Sequence, residues 1–137
     1  MPNHYSFSDL EFEEHFATCS FPPELFNHEA HLRLAWIHIE RYGVVPAEKH
    51  IVQQLQRYVA HLGAQEKFNM TLTVAAIKAV SHFKTKATST TFNDFIHEFP
   101  RLKTDFKALM ACHYSKDIYH SKTAKKRFLK PDVLPFD

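Results

Sequence analysis

Two histidines three residues apart, in F-N-H-E-A-H-L-R-L-A-W at positions 26–36, are the residues of this chain best spaced for chemistry. On a helix, positions i and i+3 are surface neighbours with Cβ atoms roughly 5–6 Å apart, so His28 and His31 can reach one small molecule or one metal ion. Imidazole exchanges protons near neutral pH and ligates metals in its neutral form. The partial positive charge of a helix start disfavours imidazolium. His28, in the first turn and on the stripe that carries Leu32, Ala35 and Ile39, is therefore expected to face the core as a neutral proton acceptor. Zinc-protease chemistry does not fit, because that motif needs H-E-x-x-H with histidines at i and i+4, and H-E-A-H sets them at i and i+3. A di-metal bundle would draw E-x-x-H pairs from several helices. Glu11, Glu13, Glu14, Glu66 and Glu98 are present, but none stands three residues before a histidine.

A plainer role has its own geometry. With Asn27 as the cap of a helix, Phe26 and His31 occupy the two positions of a hydrophobic staple, and His31 can simply stack on Phe26. Catalytic, structural and metal-binding readings all stand at this point, the metal one with the least support. A second polar group, Lys67, Asn69, Thr71 and Thr73, lies at the opening of a later helix, where free backbone N–H groups and small polar side chains can hold an anion or a carbonyl. It is expected to bind the substrate of His28 and His31, although Asn69 or Thr71 could equally be a helix cap. Arg33 is expected to meet a carboxylate or solvent, and Trp36 and His38 to be interior residues. His113, Tyr114 and Tyr119 are weaker pocket candidates. No G-x-S-x-G elbow occurs, and neither cysteine stands beside a base, so serine or cysteine nucleophiles are not expected.

The elements that must position these residues read as helices throughout. Ser8-Asp9-Leu10-Glu11 is a capping box that predicts a helix over 9–18, and the prolines at 22 and 23 break the chain after it. Asn27 and Gly43 bracket a second helix, and Pro46 at a first helical position opens a third that ends at Gly63. A connection this short predicts that these two lie antiparallel. Met70 to Phe83 is expected to be a buried helix with small residues. Thr91 caps a short helix that Pro100 interrupts and that resumes through Tyr114, and Ser121 caps a last one through Phe128. The tail K-P-D-V-L-P-F-D has two prolines and is expected to lie across the helices as a strap. The expected fold is all-α, a single-domain bundle over 1–137 with about five to six helices and a proline-containing C-terminal strap.

Composition bounds the function. A chain of 137 residues with 45% hydrophobic and 23% charged residues is long enough for one real core, and its 13 Phe and 5 Tyr supply much burial from few side chains. Only 2 glycines, Gly43 and Gly63, exclude glycine-rich phosphate loops and dinucleotide turns. A formal charge of +2 requires no polyanion; the six basic residues between Ser115 and Lys130 lack a base-reading motif and are expected to be a solvated face. No apolar run approaches the roughly 18 residues that span a bilayer, and no export signal is read at the N-terminus. Cys19 and Cys112 form no C-x-x-C pair, which suits a reducing cytoplasm.

F-x-H-x-x-H-L-R-x-A-W at 26–36, G-x-x-x-K-F-N-M-T-L-T from Gly63 to Thr73 and F-L-K-P-D-V-L-P-F from Phe128 to Phe136 together resemble a small bacterial protein family of mostly uncharacterised members. The resemblance implies an all-helical single domain, with His28, His31 and the K-x-N-x-T-x-T segment at matching positions. In relatives the Asn69 position is often histidine. If that histidine completes a metal site there, Asn69 weakens one here, since an amide oxygen is a poor ligand for zinc-like ions. The resemblance supplies no reaction. The expected function is a small cytoplasmic enzyme that uses His28 or His31 as general acid/base on a small polar or anionic molecule, without a cofactor or nucleic-acid partner. The alternatives are a non-catalytic helical module that binds a small molecule or a partner, and a histidine-ligated metal protein.

Overall fold

The computed structural model describes residues 2–136, and these are helical or irregular with no strand among them. They fall into two compact units, Met1–Phe68 and Asn69–Asp137.

In the first unit, α1 (Asp9–Ala17) begins at the expected capping box: Ser8 accepts from the Glu11 amide, and the Glu11 carboxylate accepts from the Ser8 amide. α2 (His28–Tyr42) starts at Asn27, whose side chain accepts from the Ala30 amide at 2.9 Å. Gly43 ends α2 and caps α3 (Val44–His61) with φ of 87°, a backbone conformation that strains any residue bearing a Cβ. Tyr42 and His50 rings meet at 5.1 Å across this connection, as a helical hairpin requires. α3 begins two residues before Pro46, not at it. A proline in the first turn costs nothing there, because its missing N–H is one that would lack a helical partner anyway. The core is aromatic and aliphatic, with Phe12, Phe16, Phe21, Leu32, Leu34, Ile37 and Tyr58 almost fully buried.

In the second unit, α4 (Met70–Lys84) is capped by Asn69 and packs against α8 (Lys122–Lys126), which stops two residues short of the expected Phe128. α5 (Phe92–Glu98) is capped by Thr91. The stretch after Pro100 divides into α6 (Arg101–Thr104) and α7 (Phe106–Ala111), because Asp105 leaves helical geometry at φ −144°, ψ 34°. The division of the stretch from Phe92 onward into three, α5 to α7, accounts for eight helices among the described residues where five to six were expected. The tail is the expected strap: Tyr114 Oη donates to the Leu129 carbonyl at 2.7 Å, and the Val133 amide donates to the His113 carbonyl at 3.0 Å.

Thr71 fastens this unit. Its hydroxyl, fully buried, donates to the Arg127 carbonyl at 2.8 Å and accepts from the Leu129 amide at 3.0 Å. Thr71→Val keeps the shape and removes both bonds, so it should cost about 1–2 kcal/mol in a denaturant titration of the second unit. A change within error would show that the strap carries its own polar groups without α4.

Candidate functional site

The motif at 26–36 divides its residues among several tasks. Phe26 closes the 3-10 turn Pro23–Leu25, and His31 lies on its ring with centroids 4.0 Å apart and planes at 29°. The staple geometry is therefore present. Phe26 is itself held by Phe16 at 4.9 Å and Tyr58 at 5.4 Å, and Tyr58 donates its hydroxyl to the Phe21 carbonyl at 2.7 Å. The His31 ring thus rests on a platform anchored in the core.

Neither histidine turns into the core. His28 and His31 are both exposed, which corrects the expectation that His28 faces the apolar stripe: in the first turn of α2 that stripe runs past the packed interior, whereas Leu32 and Ala35 one and two turns on are buried. His31 is crowded on its inner side and open at its edge. Desolvation, with a smaller contribution from the nearby His28, lowers its pKa below the ordinary histidine value. No ring nitrogen of His31 hydrogen-bonds another described residue.

Glu29 and Arg33, on the same helix, look the other way. Glu29 accepts from His4 Nε2 at 2.7 Å, and Arg33 is 4% exposed. Arg33 Nε and Nη2 donate to Asp9 Oδ1 at 3.2 and 2.9 Å, Nη2 also donates to the Phe7 carbonyl at 2.8 Å, and Nη1 donates to the His4 carbonyl at 2.6 Å and to His4 Nδ1 at 3.3 Å. All five guanidinium protons have acceptors. Since Arg33 can only donate, His4 Nδ1 must accept and Nε2 must carry the proton given to Glu29, so neither nitrogen is left for chemistry. The expected carboxylate partner of Arg33 is Asp9. The buried His4 has no signal in the sequence beyond its place in a short capped turn, His4–Ser6.

The second polar group is committed to its surroundings. Asn69 Oδ1 accepts from the Leu72 amide at 3.0 Å while its Nδ2 donates to the Ile118 carbonyl at 2.9 Å. Thr73 Oγ1 donates to the Asn69 carbonyl at 2.7 Å, and Thr71 makes the two bonds already described. Lys67 is exposed at the end of the turn Gln65–Lys67 and belongs to the first unit, whereas Asn69, Thr71 and Thr73 belong to the second.

A polar cluster that sequence reasoning passed over lies among α1, α2 and α3. His38 is 1% exposed, and neither ring nitrogen has a hydrogen-bond partner. Around it stand the Tyr42 ring at 5.5 Å and the His50 ring at 5.8 Å, and Tyr42 donates to Glu13 Oε2 at 2.5 Å. Glu13 Oε1 is 3.2 Å from Arg41 Nε. Desolvation pushes His38 down to about 4 against the raising effect of the Glu13 carboxylate, with His50 and Arg41 adding to the fall. The expectation of an interior histidine is met; its lack of partners could not be read from spacing.

Compared with protein-family models, with curated proteins and with solved structures, the chain finds no match. Its chemistry must therefore be argued from its own side chains. Among the described residues, no three His, Cys, Asp or Glu side chains are grouped to hold a metal ion, and no helix is long and apolar enough to cross a membrane.

Proposed function

We propose that this chain is a small cytoplasmic enzyme in which His31, with His28 beside it, exchanges protons with a small polar or anionic molecule at the start of α2. The observation that carries the reading is the state of the His31 ring: oriented by its stack on Phe26, without a hydrogen-bond partner among the described residues, exposed and biased toward the neutral form. A neutral imidazole can accept a proton at once. An anion bound beside it favours imidazolium and raises its pKa toward neutrality, where transfer in both directions is efficient. The two free cysteines, Cys19 and Cys112, accord with a reducing compartment. A nucleic-acid partner is not part of the proposal.

The test is a side-chain ¹⁵N titration of His28 and His31, alone and with inorganic phosphate, acetate or acetamide. His31 should titrate below the ordinary 6.5, and phosphate or acetate should raise its midpoint while acetamide does not. An ordinary midpoint indifferent to all three probes would overturn the acid–base reading.

A non-catalytic binding module is the second reading, favoured by the engagement of Asn69, Thr71 and Thr73 with the second unit's own backbone. His31→Phe keeps the stack and removes the nitrogens. On the enzyme reading, stability stays within about 0.5 kcal/mol and the anion response disappears.

A further inference from the structure

The second unit contains a cavity of about 360 Å³ between the C-terminal end of α4, α7 and the strap. That volume lies in the range of small-molecule sites. Ala79 and Phe83 form one wall, Leu109 and Met110 a second, and His113 with Phe136 a third. The space survives because Ala79 contributes only a methyl group where a larger residue would fill it.

The strap holds that third wall in place. His113 stacks on Phe136 with ring centroids 4.1 Å apart and planes at 24°, and His113 Nδ1 donates to the Leu134 carbonyl at 2.7 Å. Next along the chain, Ser115 donates its amide to Asp132 Oδ1 at 3.0 Å, and its hydroxyl bonds the other carboxylate oxygen. The wall is thus tied at successive residues and does not have to be ordered by a ligand.

This fastening also sets the polarity of His113. A carbonyl can only accept, so the ring proton sits on Nδ1, and in the neutral ring Nε2 is left as an acceptor. Nε2 makes no hydrogen bond within the described residues. Apart from His82 and the Cys112 thiol, the remaining lining is aromatic, aliphatic and thioether, surfaces that favour flat rings through offset stacking and sulfur contacts.

We propose that this cavity binds a neutral fused-ring aromatic molecule carrying one N–H or O–H group, which donates to His113 Nε2 while the rings lie against Phe83, Met110 and Phe136. The site is separate from the histidines of α2 and does not depend on the acid–base reading.

Indole and 1-methylindole test it, since they differ by the donor alone. With methyl-¹³C methionine in the full chain, indole should shift the Met110 methyl signal saturably and leave Met70 in place. Its affinity should exceed that of 1-methylindole roughly tenfold, the worth of one net hydrogen bond. His113→Phe keeps a ring against Phe136 and should erase the preference, whereas His82→Phe, at another wall, should retain it. Ala79→Leu fills the space and should abolish binding while the melting temperature holds. Absence of a saturable Met110 shift up to the solubility of indole would overturn the site. Equal affinity for the two probes, or loss of the preference in His82→Phe alone, would overturn the role of His113.

Discussion

Replacing Arg33 with methionine should destabilise the first unit by about 3 kcal/mol, measured as faster amide exchange across α1 and α2 and a melting temperature lower by roughly 12 °C or more. Methionine restores much of the lost volume, so the effect isolates the guanidinium. Its removal leaves the His4 and Phe7 carbonyls and His4 Nδ1 without their donors. Each buried acceptor left without a partner costs about 1–3 kcal/mol. Asp9 contributes little, because its side chain is 51% exposed and water can replace the arginine. The guanidinium also lies 4.9 Å over the Phe12 ring and 5.5 Å over Tyr5, contacts that a thioether keeps only in part. Arg33→Lys should fall between the parent and Arg33→Met, since an ammonium has three protons for four acceptor atoms. Arg41→Met is the control at an ion pair whose arginine is 44% exposed, and it should cost no more than about 1 kcal/mol. A loss at Arg33 as small as at Arg41 would mean that water already solvates the carbonyls.

Acidification should weaken the first unit through His38. The ring is held down to about 4 in the folded chain against an ordinary value of 6.5. Between those values the unfolded chain binds the proton more readily than the folded one, so stability rises with pH across the window. It is complete above about 6.5 and is lost progressively as pH falls toward 4. The total is about 3 kcal/mol. His38→Leu should reduce this acid limb, leaving the part that the lowered His31 contributes in the same direction. At neutral pH it should be as stable as the parent or more so, because it removes two buried nitrogens without partners and leaves a hydrocarbon of similar size. The groups facing His38 are Glu13 from α1, Arg41 and Tyr42 on its own helix, and His50 from α3; of these only the Glu13 carboxylate favours imidazolium. The exposed carboxylates Glu11, Glu98, Asp117 and Asp132, whose pKa values hydrogen bonds lower, lose their contribution at more acidic pH. An acid limb unchanged in His38→Leu would assign the loss to another group.

Local signals in the sequence led to the correct elements. A capping box, an Asn or Thr cap and a terminating glycine each depend on a few neighbouring residues, and α1, α2, α4 and α5 start where Ser8, Asn27, Asn69 and Thr91 indicate. The staple of Phe26 and His31 was legible for the same reason. What escaped depends on partners distant in sequence. Periodicity put His28 on the stripe of Leu32 and Ala35, but it contains no information on how far along the helix the interior extends. Arg33 was expected to meet a carboxylate or solvent, but its burial was not legible because its four acceptor atoms lie 24–29 positions away, three of them backbone or ring atoms. Asn69 and Thr71 looked available to a ligand until residues 118, 127 and 129 were seen to occupy them. The break at Asp105 has no local marker, and nothing in its neighbours explains it.

The reach of Asn69 and Thr71 also bears on how the chain is made. Every hydrogen bond described for the first unit closes within its own 68 residues, so that unit can be complete soon after its last residue leaves the ribosome. α4 comes next, but its opening residues bond partners 49, 56 and 58 positions later. Until those residues are synthesised, the buried side of α4, with Val74, Ala75, Ile77 and Val80, has no strap and no α8 to cover it. The growing chain therefore carries a closed first unit and a helix lacking its second-unit partners while the roughly 45 residues between Lys84 and Leu129 are added, the interval in which aggregation or chaperone capture competes with closure.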